Sequence, residues 1–309
     1  MSASGGFSPK SEDFALLIAR LIADTAPLAT NLDNARAELA AKGWPVAMAE
    51  AVCSGMDAIE LLLPEGDAAG VRAILDRHFR PSDLVIADQP FSLPRVFVSD
   101  MDSTMIAAEC IDELADFAGI KDQIAAITER AMQGELDFAD ALRERVLLLK
   151  GLPEGAIAEC LASRIAPMPG AKTLVATLKS LGCKTVLVTG GFHQFADPVG
   201  EDLGFERVVA NRLEIVDGVL TGGLVDGITD SAVKRQVLLE EAAALGENTV
   251  TLAMGDGAND IPMLEAATYG LAYRAKPKAR AAADGWIDRG DLTAVLELLG
   301  VARSQWVWE

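Results

Sequence analysis

Cysteine, histidine and basic charge are all scarce in this 309-residue chain, and each scarcity excludes a class of function. The four cysteines, Cys53, Cys110, Cys160 and Cys183, lie far apart and form no C-x-x-C pair, which argues against a disulfide framework and a structural zinc site. They read as small buried packing residues. The two histidines, His78 and His193, have no partner cluster, so a zinc centre or a histidine-based triad is not expected. Charges or glycines interrupt every apolar run before the roughly 18 to 20 residues that cross a bilayer. The start, Met1 to Pro9, lacks the basic head, apolar middle and small-residue cleavage site of a secretory leader, so a cytoplasmic location is expected.

Basic residues number 27 against 46 acidic ones, for a net charge of −19. Residues 1–88 hold 7 basic and 13 acidic side chains and the rest 20 and 33, so neither part offers a nucleic acid backbone an electrostatic footprint. The expected partner is a small molecule, without nucleic acid or membrane, and a homodimer is compatible with the composition. An anionic substrate would need a metal ion or a few placed cations to offset the acidic field.

What is present is a globular composition, 50% hydrophobic and 24% charged, long enough for two domains. The clearest seam is Asp88-Gln89-Pro90-Phe91-Ser92-Leu93-Pro94, where two prolines separate apolar runs. The expected division is residues 1–88 and 89–309. Before the seam, Phe14 to Ile22 suits strand or helix, and Leu32 to Lys42 has helical spacing with Gly43 as its stop. Ala58 to Leu63 and Leu84 to Ala87 read as strands around the helical stretch Ala68 to Phe79. With Val46 to Cys53 as a further strand, the order is βαββαβ, which resembles the ACT-like regulatory modules found ahead of some metabolic enzymes.

After the seam, short apolar runs end in polar or glycine residues: Val96 to Ser99, Lys184 to Thr189, Val208 to Ala210, Thr249 to Met254 and Gly270 to Ala272. Helical stretches such as Ala171 to Leu181 and Lys234 to Leu245 lie between some of them. This alternation predicts an α/β fold with a mostly parallel sheet covered by helices on both faces. Sites in such sheets form beyond the carboxyl ends of the strands. The 89 residues between Asp100 and Thr189 exceed the roughly 30 of one βαβ unit, so a helical cap inserted at about 106–165 is expected. Leu213 to Val216 and Val219 to Thr221, around Asp217-Gly218, read as a hairpin. The tail with Trp306 and Trp308 is expected to dock on the body.

Three run exits carry polar clusters. Asp100-Met101-Asp102-Ser103-Thr104 suits a helix cap or turn, and equally a carboxylate nucleophile with an acid/base partner. Thr189-Gly190-Gly191-Phe192 offers a hydroxyl and unobstructed N–H groups for phosphate oxygens, although such turns are common. Gly255-Asp256-Gly257-Ala258-Asn259-Asp260 provides oxygen ligands for a hard cation, or a plain turn. A calcium loop is excluded, because Ala267 stands where the bidentate Glu belongs. Lys234, between the second and third clusters, suits either a positive charge for such a phosphate or a solvated lysine at a helix start.

In this order and spacing, D-x-D-S-T, T-G-G-F, Lys234 and G-D-G-x-N-D resemble the haloacid-dehalogenase-like phosphohydrolases, and closely the phosphoserine phosphatases, over about residues 95 to 290. The dehalogenating branch lacks an aspartate at the position of Asp102. The resemblance implies a Rossmann-like core and hydrolysis of O-phospho-L-serine to L-serine and phosphate, the last step of serine biosynthesis, through an aspartyl phosphate. It makes Asp100 the nucleophile, Asp102 the general acid/base, and Thr189, Gly190 and Lys234 the phosphate holders. Mg2+ would be bound by Asp100, Asp256 and the backbone carbonyl of Asp102, with Asp260 supporting the metal site and Asn259 near the phosphate. In the cap, Glu109 would receive the substrate ammonium, Phe138 form the lid and Arg145 grip the carboxylate. Thr189 departs from the serine that many relatives carry, with the same hydroxyl. Two other readings stay open: a phosphatase for another small amino- or hydroxy-acid phosphate, and an amino-acid-sensing regulator with a vestigial catalytic part.

Overall fold

The computed structural model describes residues 16–132 and 135–308. Met1 to Pro9, and Phe14 and Ala15 of the first apolar run, lie outside the described residues. The chain opens with β1 (Leu17–Ile22), α1 (Leu28–Ala41), β2 (Met48–Ala51), β3 (Ile59–Leu63), α2 (Ala68–Phe79) and β4 (Asp83–Ala87). Past the prolines come β5 (Val96–Ser99), then α3 (Cys110–Phe117), α4 (Lys121–Met132), α5 (Phe138–Leu148) and α6 (Gly155–Arg164). These four helices form an insertion, the cap, between β5 and the rest of the core.

The core resumes with α7 (Ala171–Ser180), β6 (Lys184–Phe192), α8 (His193–Leu203), β7 (Arg207–Val216) and β8 (Val219–Val225). It closes with α9 (Ser231–Leu245), β9 (Thr251–Gly255), α10 (Ile261–Ala266), β10 (Tyr269–Tyr273), α11 (Pro277–Ala282), β11 (Gly285–Ile287) and α12 (Ala294–Leu298). All strands join one sheet in the order β2-β3-β1-β4-β11-β10-β9-β5-β6-β7-β8. It is parallel from β11 to β7 and antiparallel at both ends.

Alternation along the buried strands gives the sheet two apolar faces. On β5, Val96 and Val98 belong to the core that includes α1, α2, α9, α10 and α11, while Phe97 joins the opposite core with α3, α7, α8 and α12. The two cores run through both halves of the chain, so no separately packed amino-terminal domain is discernible. That revises the expected smaller domain, and the cause is a strand the sequence pattern missed. Three-residue β11 pairs antiparallel with β4, Gly285 opposite Val85, and so continues the core sheet into the first four strands. A Cβ on Gly285 would stand 1.9 Å from the Leu84 carbonyl oxygen, so only glycine permits this approach.

Two further differences bear on the site. β6 runs past Thr189 to Phe192, with irregular register against β7, because Gly190 and Gly191 carry no side chains to separate the strands. The helix expected from Lys234 starts earlier, at Ser231, where the Asp230 carboxylate accepts hydrogen bonds from the Ala232 and Val233 N–H groups. The expected hairpin turn is present, with positive φ at Asp217 and Gly218. The hairpin also holds the cap: Gly151 N–H donates to the Leu220 carbonyl at 2.8 Å, and Leu220 N–H to the Leu152 carbonyl at 2.9 Å.

The cysteines are unpaired, three of them buried. His78 and His193 pair with Glu38 and Asp197. Trp306 is buried with its indole N–H on the Val301 carbonyl, whereas Trp308 remains exposed. Among the described residues no helix is long and apolar enough to cross a membrane.

Asp83, fully buried beside the β4–β11 joint, accepts hydrogen bonds from the Arg289 and Gly290 N–H groups. Burial raises its pKa above the ordinary 3.8, although those backbone donors oppose the shift. The folded protein therefore binds this proton more tightly than the unfolded chain does. The resulting stabilisation is full below pH 3.8 and is lost as pH rises through the raised value. Urea unfolding over a pH series is expected to show a shallower decline between pH 3.8 and the raised value in Asp83→Asn than in the parent protein.

Candidate active site

The exits of β5, β6 and β9 converge, as the topology requires of neighbouring parallel strands. At their centre is Lys234, on the first turn of α9 and only 1% exposed. Its Nζ lies 2.7 Å from Asp100 Oδ1 and 2.7 Å from Asp260 Oδ1. Burial alone would lower the lysine pKa, but the two carboxylates hold it well above its usual value. Asp100 is raised by burial and by Asp260, with Lys234 opposing both. The ammonium thus keeps a buried pair of acids together.

Asp100 Oδ1 also accepts the Met101 N–H at 2.8 Å. The chain then turns sharply: Met105 N–H returns to the Met101 carbonyl, and Ser103 adopts a φ of 55°. Asp102 Oδ1 is buried with no hydrogen-bond partner. Its pKa is raised to about 7, first by burial and then by Glu109. Such a carboxyl can hold a proton near neutral pH and release it.

The glycine turn after β9 is fitted around Asp260. Its Oδ2 accepts the Asp256 and Gly257 N–H groups at 3.1 and 3.0 Å. A Cβ on Gly255 would come within 2.4 Å of the Asp260 carboxyl carbon. Carboxylate oxygens of Asp100, Asp256 and Asp260 lie within 4.8 Å of one another. Hard oxygen donors so grouped fit a divalent cation. Both Asp260 oxygens are already taken by Lys234 and the backbone, which suits a supporting role. The Asp102 side chain is outside this carboxylate group.

Opposite, Thr189 Oγ1 accepts the Gly191 N–H at 2.9 Å. The point where a Gly191 Cβ would sit is 3.2 Å from Thr189 Oγ1 and 3.3 Å from Asp102 Oδ2, so the first two polar clusters meet here. Buried Asn211 on β7 fixes the loop by donating to the Gly190 carbonyl at 2.7 Å and accepting the Thr229 N–H.

The cap closes over a cleft of about 190 Å³, lined by Asp100, Asp102, Glu109, Phe138, Arg145, Thr189, Gly190, Asp256 and Asn259. Every sequence-selected residue is therefore on this wall except Lys234 and Asp260, which are packed behind it. Glu109 Oε1 accepts the Ser103 hydroxyl at 2.9 Å. Arg145 is half-buried and its pKa is lowered by burial; its Nε donates to the Ala141 carbonyl. Phe138 stands over Gly190, one ring carbon 3.1 Å from where a Cβ would be.

The haloacid dehalogenase-like hydrolase family matches residues 97–265. A phosphoserine phosphatase from Archaeoglobus fulgidus is 44% identical over 250 residues, 78% of this chain and 72% of that protein. The chain belongs to this family. Phosphoserine phosphatase SerB2 of Mycobacterium tuberculosis is 40% identical over 80% of this chain, which spans 61% of that longer protein. The solved structure of a probable phosphoserine phosphatase from Vibrio cholerae, in unliganded form, superposes with a TM-score of 0.72 and 32% identity, covering 94% of this chain and 88% of that one.

Sequence reasoning passed over Lys276 and Asn211, and gave Ser103 of the first cluster no role of its own. Lys276 follows β10 and its Nζ lies 3.2 Å from Asp256 Oδ2. Inspection of the fifth run exit, as of the other three, would have found it. Asn211 directly follows the run Val208 to Ala210, so the same inspection would have singled it out, although only tertiary packing brings β7 against the glycine loop.

Removing the ammonium while keeping the chain length tests its place in the architecture. Lys234→Met leaves Asp100 and Asp260 buried without a counter-charge, and the metal-free protein is expected to lose about 3–5 kcal/mol in urea unfolding.

Proposed function

We propose that the chain hydrolyses O-phospho-L-serine to L-serine and phosphate, the closing step of serine biosynthesis, through an aspartyl phosphate at Asp100. One observation carries the reading: a single small cleft joins the carboxylates suited to phosphoryl transfer with an acid and a guanidinium suited to an amino acid. The site roles follow from that shared wall and from the family's motifs.

In the first step an Asp100 carboxylate oxygen attacks phosphorus and the bond from phosphorus to the serine oxygen breaks. Both protein contacts of Asp100 fall on Oδ1, which leaves Oδ2 for attack. Asp102, protonated, gives its proton to the departing serine oxygen. In the second step Asp102 takes a proton from water, which attacks the aspartyl phosphate and releases inorganic phosphate. Thr189 and the Gly190 backbone hold phosphoryl oxygens, with Lys234 providing positive charge from behind and Asn259 alongside. Mg2+, held by Asp100, Asp256 and the Asp102 carbonyl with Asp260 in support, would supply Lewis acidity toward a phosphoryl oxygen.

Glu109 receives the substrate ammonium and Arg145 its carboxylate, the latter in two parallel hydrogen bonds that a planar guanidinium can form. Phe138 shields the cleft at Gly190 and keeps bulk water from the ester. The proposal extends to residues 1–88 as an ACT-like module built into the same sheet rather than packed as a separate domain, with 89–309 catalytic. Its support is the βαββαβ order, the antiparallel arrangement β2-β3-β1-β4 and the proline-bearing link. A small-molecule partner, no nucleic acid and a cytoplasmic setting complete it, in keeping with the charge of −19 and the unpaired cysteines.

Phosphate release from L-phosphoserine is expected to require Mg2+ and to fall by at least about a thousandfold in Asp100→Asn, the scale seen when a group acting as a unit with its neighbours is removed. Full activity in that variant would refute the covalent route. Arg145→Ala is expected to raise KM for phosphoserine by about tenfold or more, from the loss of a charged hydrogen-bonded pair, while a sugar phosphate shows no parallel change.

A further inference from the structure

Lys276 is a cation that the chemistry above does not use, yet it lines the same cleft as Asp100, Thr189 and Arg145. It lies in Arg274-Ala275-Lys276-Pro277-Lys278-Ala279-Arg280, four basic residues in seven with no acidic one, within a chain of net charge −19. Its backbone is fixed. The Lys276 N–H donates to the Asp256 carbonyl at 2.8 Å, and Pro277 opens α11. Its side chain is 68% exposed, against 10% for that of Asp256, its partner at 3.2 Å.

Among the described residues, no other side chain pairs with the Asp256 carboxylate. Asp256 also belongs to the carboxylate group that fits a divalent cation. One carboxylate therefore has two claimants. Lys234 is locked on all sides, whereas Lys276 has a flexible stem and a solvated head that can leave its partner without moving the backbone.

We propose that Lys276 is an exchangeable cation of this site. It pairs with Asp256 while no divalent ion is bound. Once Asp256 turns an oxygen to such an ion, the freed ammonium captures the incoming phosphate dianion at the mouth of the cleft. The capture half rests on the phosphatase reading, and the exchange half does not. A mobile positive charge at that mouth raises the local concentration of a dianion that the rest of this acidic protein repels.

The test uses the full chain, stripped of metal, as parent protein, Lys276→Gln and Lys276→Arg. In calorimetric titration with Mg2+ alone, Lys276→Gln is expected to bind about two- to fivefold more tightly, because an exposed competing ion pair is gone. Lys276→Arg is expected to match the parent. Equal or weaker binding by Lys276→Gln overturns the exchange and makes the residue a fixed support of Asp256. With phosphoserine at saturating Mg2+, Lys276→Gln is expected to lose kcat/KM mainly through KM and to show a shallower dependence on ionic strength. An unaltered salt dependence overturns capture. Absence of phosphoserine hydrolysis by the parent overturns the phosphatase reading and capture together, and the calorimetry still decides the exchange.

Discussion

The structure depends on one buried ammonium. Lys234 stands between Asp100 and Asp260, and the three charges come from α9, the exit of β5 and the turn after β9. Burying three ionised groups is costly unless each is paired and hydrogen-bonded. Here the pairing is completed by backbone N–H groups from Met101, Asp256 and Gly257. Neighbouring features follow from this demand. Gly255 has no Cβ because Asp260 occupies that space, and Asp230 caps α9 so that its first turn presents Lys234 inward.

A second constraint is the balance of charge. A protein at −19 that is to hold an anion needs a few placed cations, and three stand at or behind the cleft. Lys234 lies behind the cleft, Arg145 in the cap wall and Lys276 at the rim. Their burial differs accordingly, the side chain of Lys234 being 1% exposed and that of Lys276 68%. The cap brings Glu109, Phe138 and Arg145 over the strand exits, and the β7–β8 hairpin fastens the far end of the cap by backbone hydrogen bonds.

Much of this was legible because buried parallel strands leave a strong signal. Val96 to Ser99 is a strand in the sequence pattern and in the structure alike, and helices α3 to α6 occupy the oversized gap after it. The D-x-D and G-D-G-x-N-D clusters stood out because they follow apolar runs. The short strand β11 did not, since three residues give no periodicity to read. For the same reason the joining of the first four strands to the core sheet was hidden, and a separate domain was expected in its place. The early start of α9 was signalled by Asp230, a cap residue passed over in favour of the lysine itself.

By itself the sequence determined which side chains end each strand, because alternation and turn residues are local properties. It determined the acidic balance and the order of the polar clusters for the same reason. Only the tertiary structure decided that Asp102 is left unpaired at one oxygen, that Asn211 steadies the glycine loop and that Lys276 faces Asp256. Those relations depend on distances between segments far apart in the chain, and such distances are fixed by packing the sheet, its helices and the cap against one another.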